Sequence, residues 1–345
     1  MLGAGITTLP RTTAQQAGRD GWLSIIIGGV VVWLITGLIY LLCRRFPNKT
    51  LPQFSMKILG KPLGILVTCI YIGYALFLGG NALRIFLDLA KTWNLLWTPS
   101  WAFLLSILVV VVYTARLGAS TLARLSELIV IVTIPALLLF LLPLNEFQIL
   151  HLRPVGGEGI MAIARGAPEA AFAYLGFEIL VIFFPLLVNR QKVFRIYTLA
   201  LATVTALYAV NNIFIYGVLG VEQTTLQVWP LINYLRIGTS PMFERVDNIF
   251  LFIWTAQVFG VTAIQYFIAT FAFATLTGKS RHDLWALLFA PVLYIIARFP
   301  KRFSDIIRVS DIVGLWGTVF LVSMTVLMLL VAMIRGLDER KEPNA

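Results

Sequence analysis

The stretch that decides the fold is Gly3-Ala4-Gly5-Ile6-Thr7-Thr8-Leu9-Pro10, which interrupts an otherwise apolar segment. Two glycines two residues apart lower the cost of leaving helical geometry, and Pro10 has no backbone N–H to donate to a preceding turn. The hydroxyls of Thr7 and Thr8 can satisfy backbone groups that are freed. The pattern therefore predicts an unwound patch, and the alternative is an N-terminal tail that leads into a helix.

The composition around this stretch defines the class of protein. Of the 345 residues, 59% are hydrophobic and only 12% are charged, with a mean hydropathy of +0.88. Soluble domains carry about 25% charged residues, and apolar runs of about 20 residues match the thickness of a bilayer. The runs lack the ten-residue alternation of an outer-membrane barrel. The sequence therefore predicts an all-α integral membrane protein.

Ten membrane spans are predicted when the broken first helix is counted. In the first 17 residues we expect only about two turns of helix, at 12–17, which are too short to cross a bilayer. A short segment at 51–59 is predicted to lie at the interface, and two long external loops are predicted at 145–166 and 220–241. The other nine spans are predicted at residues 22–43, 63–87, 99–113, 127–144, 167–187, 196–219, 243–277, 284–297 and 306–334.

The basic residues indicate the orientation of these spans. One set of loops and ends collects 15 basic and five acidic residues, a net charge of +10, whereas the other carries 12 and ten, a net charge of +2. Because cytoplasmic loops are enriched in Lys and Arg, the first side is predicted to be cytoplasmic, together with the N-terminus. The basic residues stand singly or in pairs at the ends of apolar runs, so a nucleic-acid partner is excluded.

A second weak point lies in the sixth span, where Tyr174-Leu175-Gly176-Phe177-Glu178 places an acidic residue beside a glycine. If the ten helices form two inverted repeats of five, this point corresponds to the first break. Paired interrupted helices indicate a transporter-type site, and half-helix N-termini attract a carboxylate. Glu178 could take up a proton or hold the ammonium of a ligand, and the alternative is a glutamate that only fastens two helices.

The predicted ligand-binding residues come from these two breaks. They are Gly3, Ala4, Gly5, Ile6, Thr7, Tyr174, Gly176 and Glu178. Polar residues in other spans are weaker candidates, because such groups more often join helices. These weaker candidates are Thr255, Gln257, Thr262 and Gln265, and Tyr174 is a polar group of the same kind.

Other kinds of site are not predicted. Cys43 and Cys69 lie in apolar surroundings without metal-ligand spacing, so neither a disulfide framework nor a metal site is expected. His151 and His282 are far apart in loops. No catalytic arrangement, Walker loop or cofactor motif is present, so we expect no cofactor and no enzymatic activity.

Several strings resemble the B-subunit family of spore germination receptors, the GerAB group. In chain order they are Gly3-Ala4-Gly5-Ile6 through Leu9-Pro10, Ala17-Gly18-Arg19-Asp20-Gly21-Trp22, Arg44-Arg45-Phe46-Pro47 with Lys49-Thr50, Ala123-Arg124-Leu125-Ser126-Glu127, and Leu175-Gly176-Phe177-Glu178 through Phe184-Pro185. The similarity extends along essentially the whole chain in the same order. The family belongs to the amino acid/polyamine/organocation transporter superfamily, whose members resemble the LeuT fold of two inverted five-helix repeats.

The resemblance implies a germinant-sensing subunit in the spore inner membrane that binds a small ligand, an amino acid by expectation, and works with A and C subunits. It implies a single transporter-like membrane domain at 1–334, followed by a cytoplasmic polar tail at 335–345. The family has a half-helix before the glycine break, so we expect a truncated or misassigned start and a truncated first helix. Two alternatives remain: a proton-coupled amino acid permease, and a scaffold that binds no ligand.

Overall fold

The structure is a computed structural model that describes residues 3–93, 97–238, 245–278, 281–300 and 302–341. Within these ranges the ordered elements are α-helices and short 3-10 turns, and no strand is assigned, which confirms the predicted all-α class. The helices are α1 Leu9–Ala17, α2 Gly21–Arg45, α3 Leu51–Leu59, α4 Lys61–Trp93, α5 Ser100–Arg116, α6 Ala119–Leu137, α7 Gly159–Gly166, α8 Ala171–Tyr174, α9 Leu180–Phe183, α10 Val193–Leu219, α11 Val221–Leu226, α12 Pro230–Ile237, α13 Val246–Leu276, α14 His282–Leu288, α15 Ala290–Arg298 and α16 Phe303–Ile334.

Six helical segments in the described part of the chain are long and apolar enough to cross a bilayer. They are Leu9–Arg45, Lys61–Thr92, Ala119–Glu146, Arg190–Leu219, Val246–Leu276 and Ser304–Ile334. Ser100–Arg116 and Phe177–Leu186 are apolar but shorter. The predicted start of the seventh complete span at 243 lies outside the described residues, and the predicted count of ten spans remains a prediction.

At the first predicted break the chain leaves α-helical geometry and forms a 3-10 turn, Ala4–Thr7. Helix α1 begins at Leu9, so Pro10 lies inside the first helical turn instead of ending the break. The expectation that the helix begins only at residue 12 was therefore wrong. Proline is tolerated in the first turn because the N–H groups there have no helical partner.

The second predicted break divides the expected span at 167–187. Gly176 has φ +117°, a conformation that glycine adopts readily and other residues rarely adopt. Helix α8 ends before it, and a 3-10 turn, Phe177–Ile179, leads into α9 after it. The predicted span at 284–297 is also divided, since α14 ends at Leu288 and α15 begins at Ala290, directly before Pro291.

The chain forms two units by its internal contacts. Unit 1 comprises Met1–Trp33, Ser126–Leu175 and Thr198–Val258, and in it α1 packs against α7 and α11. Asp20 is fully buried there, and its carboxylate accepts the backbone N–H groups of Gly156 (2.7 Å) and Glu158 (3.1 Å). These bonds tie the loop before α7 to the start of α2.

Unit 2 comprises Leu34–Leu125, Gly176–Tyr197 and Phe259–Ala345. Helix α4 packs against α3, α15 and α16, and α5 packs against α14 and α15. Its interior includes a cluster of Leu83, Leu87, Leu104 and Ala297. Thr50 and Gln53 form a capping box that starts α3, so the predicted short helix at 51–59 is confirmed.

Candidate functional site

Glu178 is the centre of a buried polar cluster in unit 2. Its side chain is fully buried, and Oε2 accepts the backbone N–H of Gly176 at 2.8 Å. Its other oxygen, Oε1, accepts the hydroxyl of Tyr74 and the amide N–H of Gln265, both at 3.1 Å. The hydroxyl of Tyr71 donates to the backbone carbonyl of Glu178 at 3.3 Å. Hydrogen bonds therefore fix the position of both the side chain and the main chain of Glu178.

Three separate elements supply this cluster, and the local sequence explains each one. Tyr71 and Tyr74 are three residues apart on α4, so both side chains project from the same face of that helix. Gln265 lies in the middle of α13. The positive φ of Gly176 turns its N–H back toward the carboxylate two residues further on. A Cβ at that position would meet no atom within 4 Å, so the glycine is required by conformation rather than by space.

The donors around Glu178 are all neutral. Among the described residues no basic side chain forms an ion pair with it. Burying a charge is costly unless the charge is paired, and hydrogen bonds to neutral donors offset only part of that cost. The Oε1 atom of Gln265 is also buried without a hydrogen-bond partner. The cluster is therefore suited to accept a proton or a cationic group.

The first break lies in unit 1, where the Gly3 N–H donates to the hydroxyl of Tyr208 at 2.7 Å. That hydroxyl donates in turn to the backbone carbonyl of Ala173 at 3.1 Å. A Cβ on Gly3 would lie 2.3 Å from the same carbonyl oxygen, so glycine permits this close approach of two backbones. Ile6 and Thr7, in the following turn, are buried.

Helix α10 presents a row of polar side chains to the segment that follows the break. The Tyr216 hydroxyl donates to the Pro10 carbonyl at 2.9 Å, and the Asn212 amide donates to the Thr13 hydroxyl at 2.8 Å. Together with Tyr208 these residues are spaced four apart, which places them on one face of the helix. The start of the chain is thus bound to α10 within unit 1.

The predicted site residues divide between the two units. Gly3, Ala4, Gly5, Ile6, Thr7 and Tyr174 belong to unit 1, whereas Gly176 and Glu178 belong to unit 2. The Tyr174 hydroxyl donates to the carbonyl of Ile25 at 3.0 Å and lies 3.1 Å from the hydroxyl of Thr205. In this structure Tyr174 therefore joins helices, as weaker polar candidates were expected to do.

Of the weaker candidates, Gln265 joins the Glu178 cluster and the others bond elsewhere. Gln257 donates to Thr133, Thr262 to the carbonyl of Gly79, and Thr255 to its own helix. Sequence reasoning did not single out Tyr71, Tyr74 and Tyr208. The available signal was tyrosine inside an apolar span, because a buried Tyr hydroxyl usually needs a hydrogen-bond partner.

No group of three or more metal-ligating side chains occurs in the described part of the chain. His151 Nδ1 lies 2.9 Å from the carbonyl oxygen of Gly217, and so has a structural partner. Cys43 is buried and Cys69 is exposed, and both are free thiols.

Long apolar helices and a buried, hydrogen-bonded carboxyl group define an integral membrane protein with a polar site among its helices. The chain belongs to the spore germination protein family, whose model matches residues 1–306. It is 30% identical to spore germination protein YndE of Bacillus subtilis, over 99% of this chain and 94% of that protein. It is 27% identical to spore germination protein A2 and 26% identical to protein B2 of the same organism, in each case over 91% of this chain and 87% of the relative. The family is one of germination receptor or permease type.

Proposed function

We propose that this germination protein is a subunit that senses a nutrient germinant, an amino acid or a molecule with the same charged groups. It would bind the ligand among its membrane helices and pass a conformational change to partner subunits. The observation that carries the proposal is the buried carboxyl group of Glu178, which only neutral donors surround in the described residues. An α-ammonium group would supply the missing positive charge.

For unit 1 we propose Gly3 to Thr7 and Tyr174 as binding residues, because backbone N–H groups at such a break suit a carboxylate. The support is that Gly3 presents its N–H without a side chain and that a hydroxyl, not a helical carbonyl, accepts it. A carboxylate that reached this N–H would replace Tyr208 as its acceptor. For unit 2 we propose Gly176 and Glu178 as the contacting residues.

The finer architecture is part of the same proposal. We propose one transporter-like membrane domain at 1–334, with about ten spans arranged as two inverted repeats of five, and a cytoplasmic tail at 335–345. The glycine break and the Gly176 break then occupy matching positions in spans one and six. We further propose the spore inner membrane as its location, and receptor A and C subunits as its partners.

The experiment is a ligand screen on the purified full chain in detergent. The probes are the individual common amino acids, and the measurement is the shift in thermal unfolding temperature, because a ligand that binds only the folded state raises it. We expect at least one amino acid to stabilise the wild type, and its methyl ester and its N-acetyl derivative to lose the effect. Stabilisation by the derivatives at equal concentration would contradict a requirement for the free carboxylate and the free ammonium group.

An amino acid permease is a second candidate, because a buried carboxyl group without a fixed cation also suits a proton carrier. The two functions differ in whether the substrate crosses the membrane. Uptake of the stabilising amino acid, radiolabelled, into proteoliposomes would support the permease if a protonophore abolished it. Binding without uptake would support the sensor.

A further inference from the structure

A groove lies in unit 2 between the C-terminal turns of α2 and α16, with a volume of about 430 Å³. Its walls are apolar, and they include Leu38 and Leu41 from α2 and Leu330 and Met333 from α16. Both helices belong to segments long and apolar enough to cross a bilayer. Leu41, Leu330 and Met333 are each about half exposed, so the groove is open on one side.

One end of this groove is basic. Arg44 and Arg45 come from the last turn of α2, and Arg340 comes from the segment after α16. The Arg340 guanidinium donates two hydrogen bonds, of 2.9 and 2.6 Å, to the Asp338 carboxylate, which holds it in place. The nearby Glu339 is paired with Lys49 at 3.0 Å. Among the described residues, neither Arg44 nor Arg45 forms an ion pair.

We propose that this groove binds an anionic phospholipid, with the phosphate at Arg44, Arg45 and Arg340 and one acyl chain along the apolar walls. Three guanidinium groups against one carboxylate leave a net positive charge that complements a phosphate. The arginines stand where the two apolar helices end, which is where a lipid headgroup lies relative to its chains. The volume is also within the usual range for ligand sites, about 300 to 1,000 Å³.

The shape of the groove favours a lipid over a soluble phosphate. A free anion would use the arginines but would leave the apolar walls empty, whereas a phospholipid fills both parts. Basic residues at the ends of membrane helices are common, and single ones only set the orientation. Here three of them, from two separate parts of the chain, line one concave apolar surface.

The test is native mass spectrometry of the full chain in detergent, titrated with phosphatidylglycerol or with phosphatidylcholine of the same acyl chains. We expect tighter binding of phosphatidylglycerol and no displacement by millimolar inorganic phosphate. The double variant Arg44→Gln/Arg45→Gln should weaken phosphatidylglycerol binding by about tenfold or more, since each basic residue near a membrane surface contributes about 1 kcal/mol. The matched control Arg116→Gln/Arg124→Gln removes two exposed arginines outside the groove. It should change the affinity for phosphatidylglycerol by less than about twofold.

A second variant tests the apolar part independently of charge. Leu330→Trp places a large side chain in the groove and should lower the affinity for phosphatidylglycerol, whereas Leu315→Trp, at an equally exposed position on α16 outside it, should not. Equal affinity for the two lipids, displacement by inorganic phosphate, or equal losses in variant and control would each overturn the proposal.

Discussion

The backbone N–H of Gly176 donates to the side-chain carboxylate of Glu178 at 2.8 Å, which closes a turn in the middle of an apolar segment. The bond depends on the φ of +117° at Gly176, because this conformation directs the N–H toward the residue two positions later. The same turn interrupts the regular hydrogen bonds of the α-helix. It places the Glu178 carboxylate where side chains of α4 and α13 donate hydrogen bonds to it. Gly176 and Glu178 therefore depend on each other to form this turn.

Substituting Gly176→Ala should destabilise the protein by about 1 to 2 kcal/mol. The cost comes from the backbone conformation alone, because a Cβ there would meet no atom within 4 Å. The matched control is Gly73→Ala, whose Cβ would also meet no atom and which lies inside α4. There alanine should stabilise by about 0.5 to 1 kcal/mol, since glycine is unfavourable within a helix. Thermal unfolding in detergent measures both, and Gly176→Ala as stable as Gly73→Ala would contradict the prediction.

The Gly3→Ala variant should abolish the ligand-induced stabilisation while leaving the protein in the membrane. Its Cβ would lie 2.3 Å from the Ala173 carbonyl oxygen, so the 3-10 turn must shift and the Gly3 N–H must move from Tyr208. Gly37→Ala is the control, because its Cβ would make only ordinary contacts, the nearest at 3.6 Å from Phe194. The measurement is the thermal shift with the stabilising amino acid at matched abundance. An unchanged shift for Gly3→Ala would remove this segment from the site.

The sequence alone predicted the all-α class and the two departures from regular α-helix, at Ala4–Thr7 and at Gly176. The length of an apolar run predicts the length of a helix, and a glycine near an acidic residue within such a run predicts an interruption. Gly176 and Glu178 therefore stand out in the local sequence. The donors to Glu178 could not, because Tyr74 and Gln265 are 104 and 87 residues away in the chain. Their meeting depends on how α4 and α13 pack, which a single sequence does not encode locally.

The predicted start of the first helix, at residue 12, is wrong for a different reason. A proline can end a helix or lie in its first turn, and here α1 begins at Leu9, so Pro10 lies in the first turn. The contact between Gly3 and Tyr208 spans 205 residues and was not foreseen. The local sequence therefore predicts where the chain departs from helical geometry. It does not predict which distant side chain accepts the backbone N–H there.

The pair of Asp338 and Arg340 predicts a pH dependence in the tail. Hydrogen bonds from the Arg340 guanidinium lower the pKa of Asp338 from 3.8 to about 2. Because the pKa is lower in the folded state, the pair stabilises above the unfolded value of about 3.9, and this stabilisation is lost as the pH falls toward about 2. The difference in unfolding temperature between wild type and Asp338→Asn should be constant above about pH 5 and shrink below it. A difference that did not vary with pH would contradict the pairing.

The predicted orientation can be tested by labelling single cysteines in cells. Asn48→Cys and Val155→Cys place thiols at exposed positions on opposite sides of the predicted topology, after Cys43 and Cys69 are replaced by alanine. A membrane-impermeant maleimide should label Cys at 155 from outside, and should label Cys at 48 only after permeabilisation. Permeabilised cells provide the control for reactivity. The reverse pattern would invert the topology and contradict the +10 against +2 charge argument.

The last prediction concerns Glu178→Gln, which separates a sensing role from a purely structural one. The glutamine can keep an acceptor for the Gly176 N–H, and its NH₂ group can donate to the Tyr74 hydroxyl. The Oε1 of Gln265, which has no partner in the present structure, can turn to accept the other N–H. We therefore expect folding to survive, with a cost of about 0.6 kcal/mol for a hydrogen bond between membrane helices.

The function of the variant should not survive, because an amide can neither take up a proton nor pair with an ammonium group. We expect the stabilisation by the amino acid to be lost, or its dependence on pH to flatten, between about pH 5 and 9. Glu127→Gln, which changes an exposed glutamate, is the matched control and should retain the wild-type curve. If Glu178→Gln followed the wild-type curve at equal abundance, Glu178 would only join helices, and Gly3 to Thr7 would remain as the proposed ligand contacts.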